Sequence, residues 1–111
     1  MIIADAIWLA TALLQQRDPS AADFSVKQIV EVAKQKGFVG SARPGLQVHA
    51  SKHCVANKSA NPSRHRLLFK TARGRRRLFT EGDPFHPDRA AGKIRPDPSD
   101  LPPDYQPVVD W

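Results

Sequence analysis

The chain has 111 residues, 41% of them hydrophobic and 25% charged, with a formal net charge of +6 and a single cysteine. That length fits one domain with at most a tail; one cysteine excludes a disulfide framework or a cysteine-paired zinc cluster and suits a reducing, intracellular setting. The opening MIIADAIWLATALL is apolar but carries Asp5, lacks a basic flank and is too short to span a bilayer, so a soluble cytoplasmic protein with no membrane partner is expected, nucleoid-associated if the source is prokaryotic.

Residues 2–16 predict a helix. Ile3, Ile7, Ala10 and Leu14 form one stripe, Ala6 and Leu13 widen it, and Trp8 and Leu9 lie off it. A helix apolar nearly all round belongs at the centre of a core or partly at an oligomer surface. Asp18-Pro19 ends it. Residues 25–36 carry the clearest helix signal. Ser25 and Gln28 have capping-box spacing, and Phe24 before the cap can staple onto Ile29. Val26, Ile29, Val30 and Ala33 form the inward stripe, Lys27, Lys34 and Lys36 face out, and Gly37 is a natural stop.

A third, weaker helix is predicted over 43–57. Pro44 suits its first turn. Leu46, Ala50 and Cys54 make an apolar line with Val48 and Val55 beside it, and Gln47, Ser51 and Lys52 form a small polar face. Asn57, Asn61 and Pro62 then break the chain. Residues 65–80 predict a β-hairpin, with Leu67 and Phe69 alternating with Arg66, Leu68 and Lys70, and Leu78 and Phe79 on the return strand. Its turn falls near 72–75, where Gly74 supplies a positive φ. Residues 83–111 hold seven of the ten prolines, which forbids regular sheet and long helix. An extended arm is expected, with one short helical turn around 105–110. Its apolar residues, among them Leu101, Tyr105, Val108, Val109 and Trp111, predict that it docks on the body or on a partner.

Charge is segregated along the chain. Residues 1–40 balance four basic side chains against four acidic ones. Residues 41–80 carry ten basic side chains and no acidic one, and residues 81–111 have a net charge of −4. A block of uncompensated cations repels itself, and a polyanion relieves that repulsion, so nucleic acid is the leading partner. The plain alternative is a solvated basic face held in check by the acidic arm.

The order helix, helix, helix, basic hairpin is the layout of a winged helix-turn-helix, an α+β fold. In that layout the third helix enters the major groove and the hairpin wing lies on backbone or in the minor groove. The recognition-helix candidates are Arg43, Gln47, His49, Ser51 and Lys52; Gln pairs bidentately with adenine and Lys reaches guanine. The wing and strand candidates are Lys58, Arg64, Arg66, Lys70, Arg73, Arg75, Arg76 and Arg77. Arginines at a hairpin tip suit a narrow, electronegative minor groove, and Arg64, Arg66 and Lys70 would grip phosphates along the strands. About six phosphate contacts would give a log–log salt slope near −5.

Residues about 4–80 also resemble the HARE-HTH type of winged helix, found beside restriction endonucleases and in chromatin and transcription proteins. The resemblance rests on the apolar opening helix with Trp8, the Phe24-Ser25-Val26-x-x-Ile29 entry, and the Leu67-Leu68-Phe69 … Gly74-Arg75-x-Arg77-Leu78-Phe79 wing. It implies DNA binding without catalysis.

Other chemistries are weaker. His49 and His53 share a helix face, but a metal site needs two further ligands; polar filling of a half-buried or DNA-facing helix fits them better. Cys54 reads as a buried small hydrophobe rather than a nucleophile. A nuclease would want carboxylates near the basic surface, and residues 41–80 have none. Asn57, Asn61 and Ser63 suit turns and caps more than phosphates, and Trp8 and Trp111 suit core or docking roles more than base stacking.

The expectation is therefore a winged-helix domain over 1–82 and a proline-rich arm over 83–111. Its function would be non-enzymatic double-stranded DNA binding, as a small transcription regulator or DNA-reading subunit, with no cofactor, metal or catalytic residue. The alternative is a protein-interaction adaptor whose basic face meets an acidic partner, using the first helix and the arm, which could also serve a homodimer. RNA binding through the hairpin is a third reading, separated by 2′-OH preference. The arm could also mask the basic face, in which case truncation after Gly82 would raise affinity at low salt.

Overall fold

In the computed structural model, which describes residues 1–39, 45–60 and 63–110, the first helix, α1, spans Ile3–Arg17. Residues 4–12 are all buried, because α2, the third helix, the sheet and the C-terminal arm each pack on a different side of it. The all-round apolarity is thus satisfied within the chain. Two polar residues share this interior: Thr11 donates its hydroxyl to the Ile7 carbonyl at 2.9 Å, and Asp5 pairs with Lys93 at 2.8 Å.

A two-residue strand, β1 (Phe24–Ser25), leads directly into α2 (Val26–Gln35). The predicted capping box is present: Ser25 Oγ accepts from the Gln28 backbone N–H at 3.0 Å, and Gln28 Oε1 accepts from that of Ser25 at 2.9 Å. These bonds satisfy donors that the first helical turn leaves unpaired. Val26, Ile29, Val30, Val32 and Ala33 are buried, and Gly37 ends the helix at φ +66°.

The third helix is shorter than predicted. It runs as α3 (Gly45–Val48) and continues as one π-helical turn, His49–His53, closed by the Cys54 N–H on the His49 carbonyl. Residues 54–57 are not helical. The Cys54 carbonyl accepts from both Leu67 and Leu68, and Val55 bridges to Leu68 in parallel. The helix stops because other groups take its last four carbonyls. Arg76 donates to those of Ala50 and Ser51, and Arg89 to those of Lys52 and His53, at 2.9–3.2 Å. Two guanidiniums thus cap the C-terminal end, where a helix favours positive charge.

The hairpin forms from β2 (Leu68–Ala72) and β3 (Arg75–Leu78), turning at Gly74 with φ +71°. The sheet is antiparallel in the order β1-β3-β2, with Phe24 opposite Arg76 and Lys70 opposite Arg76 on the other side. The predicted alternation holds at Leu67 and fails at the next two residues. Leu68, not Phe69, faces the core; Leu67, just before the strand, is buried as well, and Phe69 is half-buried.

The arm carries three 3-10 segments, Pro87–Arg89, Pro98–Asp100 and Pro103–Asp110. Its Leu101, Val108 and Val109 belong to the same core as α1 and α2, and Tyr105 meets Phe38 edge-on with ring centroids 5.2 Å apart. Among the described residues no helix is long and apolar enough to cross a membrane.

Candidate nucleic-acid interface

Strand alternation sorts the arginines of the hairpin. Successive residues of β3 point to opposite faces of the sheet, so of the run 75–77 only Arg76 turns inward. It is 3% exposed and donates to the carbonyls of Ala50, Ser51, Ala72 and Arg75. A guanidinium placed there holds the hairpin to the third helix and is not presented to a ligand, so Arg76 leaves the set of surface contacts.

Arg75 and Arg77 lie on the outer face, each with a carboxylate from outside the basic block. Arg75 pairs with Asp23 at 2.7 Å, and Thr71 donates to the same carboxylate at 2.6 Å. Those bonds, from Thr71 and then Arg75, hold the Asp23 carboxyl below its usual range. Arg77 makes a two-pronged pair with Asp83 at 2.7 and 3.1 Å while its guanidinium lies 4.4 Å over the Phe69 ring. That hydrogen-bonded pairing raises the Arg77 pKa and lowers that of Asp83.

Two further arginines are tied to the arm. Arg66 donates to the Gly92 carbonyl at 2.9 Å and stacks 4.5 Å over Phe85; Arg64 donates to the Asp88 carbonyl at 2.7 Å. Among the described residues Asp83 is the only arm carboxylate paired with a cation of the 41–80 block. The arm therefore covers that block chiefly through backbone carbonyls.

Lys52, Lys58, Lys70 and Arg73 have no carboxylate partner among the described residues. Lys52 is exposed on the π turn; Lys58 and Lys70 are half-buried. Asn57 holds the last two in register: its side-chain amide accepts from the Lys70 N–H at 2.9 Å and donates to the Lys70 carbonyl at 3.0 Å. The Lys58 ammonium is pushed below its ordinary pKa by burial first, then by Arg76, Lys70 and Lys52. All of the charges that bear on it are positive.

On the helix, Gln47 is exposed and donates to Ser51 Oγ at 3.3 Å. His49 is half-buried, its Nδ1 lies 2.8 Å from the Gly45 carbonyl, and its ring meets that of His53 edge-on at 4.8 Å. Arg43 lies outside the described residues. No three His, Cys, Asp or Glu side chains lie together in a metal-holding group among the described residues. Cys54 is fully buried and burial pushes its thiol up to about 12, which keeps it protonated and inert.

Sequence reasoning missed Arg89, Asp23 and Asp83. Asp23 and Asp83 flank the acid-free block, and that adjacency was the available signal. Arg89 gave none, lying among prolines 36 residues beyond His53. Comparison of the chain with protein-family models, curated proteins and solved structures finds no match.

Proposed function

We propose that this chain is a non-enzymatic, winged-helix-type protein that binds double-stranded DNA, as a small transcription regulator or the DNA-reading subunit of a larger assembly. The observation that carries this reading is the set of cations without a carboxylate partner among the described residues: Lys52, Lys58 and Lys70 around the end of the third helix and β2, and Arg73 at the exposed hairpin turn. The order α1-β1-α2-α3-β2-β3 with sheet order β1-β3-β2 supports it. Arg76 ties the hairpin to the third helix, a contact compatible with a winged layout. A phosphate backbone supplies the anions the patch lacks, and Gln47 on the exposed helix face is within the repertoire of base-edge contacts.

An adaptor role has less support. The apolar faces of α1 and of the arm pack against each other and the core, and Met1, Ile2 and Phe85 are the exposed large hydrophobics. Among the described residues, these three exposed side chains are too few for a large docking patch.

Fluorescence anisotropy of a labelled mixed-sequence duplex tests the proposal. Binding should weaken about 100-fold between roughly 50 and 200 mM salt, as expected for about four neutralised phosphates. Absence of binding at the lower salt, by protein with a cooperative thermal transition, overturns it.

A further inference from the structure

Resting on the DNA binding in that reading and not on its sequence-specific part, we infer that the duplex is held by its sugar–phosphate backbone, through the lysine cluster Lys52, Lys58 and Lys70, with little regard to base sequence. The paired hairpin arginines Arg75 and Arg77 and the internal Arg76 would have no part in this.

The cluster is built rather than incidental. Each lysine comes from a different element: the π turn, the turn after it, and β2. Two buried or bidentate clamps fix these elements. Arg76 ties β3 to the carbonyls immediately before Lys52, and the Asn57 amide pairs with both backbone groups of Lys70, one residue before Lys58. Holding like charges together is unfavourable in the free protein, and a phosphodiester between them reverses the sign of that interaction.

The chemistry of the cluster also selects the contact. An ammonium is a compact point charge that meets phosphate from any direction, whereas reading guanine in two-pronged fashion is the work of a planar guanidinium. Three of the hairpin's four guanidiniums are engaged elsewhere, with Arg75 on Asp23, Arg77 on Asp83 and Arg76 inside, and Arg73 at the exposed turn is left as a fourth backbone cation. To enter a minor groove, Arg75 and Arg77 would first have to break charge-assisted pairs. The one amide on the exposed helix face, Gln47, is turned onto Ser51.

The test uses the full chain and two labelled duplexes of unrelated sequence, titrated at several salt concentrations. Wild type should bind both within about threefold, with a log–log slope of about −3 to −4. The variant Lys52→Gln/Lys58→Gln/Lys70→Gln removes three mutually repelling charges, two of them half-buried, and should melt at or slightly above the wild-type temperature. Its slope should fall to about −1, and its affinity at low salt at least tenfold. The charge-preserving Lys→Arg version at the same positions should bind as wild type does. If wild type binds but the Gln variant binds equally well, the inference fails and the DNA reading stands. A preference of over 100-fold for one duplex also overturns the inference alone. If folded wild type binds neither duplex, both fall together.

Discussion

Arg89 is fully buried and makes no salt bridge among the described residues, yet every N–H of its guanidinium is used. Nε donates to the Lys58 carbonyl, Nη1 to those of His53 and His65, and Nη2 to those of Lys52 and Ser59. Five donors meet five carbonyls, which offsets the desolvation of the charge. Arg89→Met should therefore cost about 3–5 kcal/mol in urea unfolding, since it leaves those carbonyls without partners. Arg89→Lys should recover only part, because an ammonium has three donors and no fork. Full recovery by Lys would show that charge, and not the planar geometry, holds the turn. A second expectation concerns protons. Burial is the leading cause that lowers the His53 and His65 pKa values below 6.5; His49 and Lys52 on the same turn, and Arg89 and Lys93 from the arm, add to it, and Asp5 of α1 opposes it at His65. The unfolded chain then binds more protons than the fold in this range, so stability should rise with pH. The contribution is complete above about pH 6.5, the unfolded value, and is lost as pH falls below it. The urea midpoint should drop between pH 7.5 and 5.5, and His53→Gln/His65→Gln should flatten that dependence. An equally steep dependence in the double variant would assign it to other groups.

At the scale of elements, what could be read from the sequence is what local chemistry decides. The α2 start is visible in Ser25 and Gln28 because a capping box is made within four residues. Ser25→Ala should accordingly cost about 1 kcal/mol by thermal or urea denaturation, and an unchanged midpoint would show the box to be redundant with β1. The hairpin turn is likewise visible in Gly74. The strand β1 was not, since two residues gain strand geometry only by pairing with β3 from across the chain. Nor was the end of the third helix. Apolar spacing at Leu46, Ala50 and Cys54 argues for continuation, but Cys54 gives its carbonyl to Leu67 and Leu68 instead. Treating Arg75, Arg76 and Arg77 as one surface run had the largest effect on the candidate site, because it ignored the alternation of a strand. Alternation makes Arg76, in the middle of that run, internal while its neighbours are outside.

Taken whole, the molecule depends on its arm. The apolar residues among the prolines pointed to docking, and Leu101, Val108 and Val109 supply core. What composition does not reveal is how close the docking is. A Cβ placed on Gly92 would lie 1.6 Å from the Arg64 carbonyl oxygen, so Gly92→Ala should force the arm off the body and cost about 3 kcal/mol, the upper end for overpacking. Truncation after Gly82 should leave no cooperative unfolding transition, because it removes Arg89, Lys93 and those core residues at once; a folded, DNA-binding fragment would contradict this. The charge block shows the same limit. Its sign was plain from the count, but its deployment was set by Asp23 and Asp83 outside it and by the backbone within.

The arginine caps also order events in time. A chain emerging from the ribosome presents α1 and α2 early, and both can begin to form from local signals. The carbonyls that end the third helix then wait for Arg76 and finally for Arg89, 36 residues behind His53. Synthesis runs from the N-terminus, so the segment proposed to meet DNA cannot become rigid before Arg89 emerges, and nascent chains short of Arg89 would carry the basic block without the geometry that positions it.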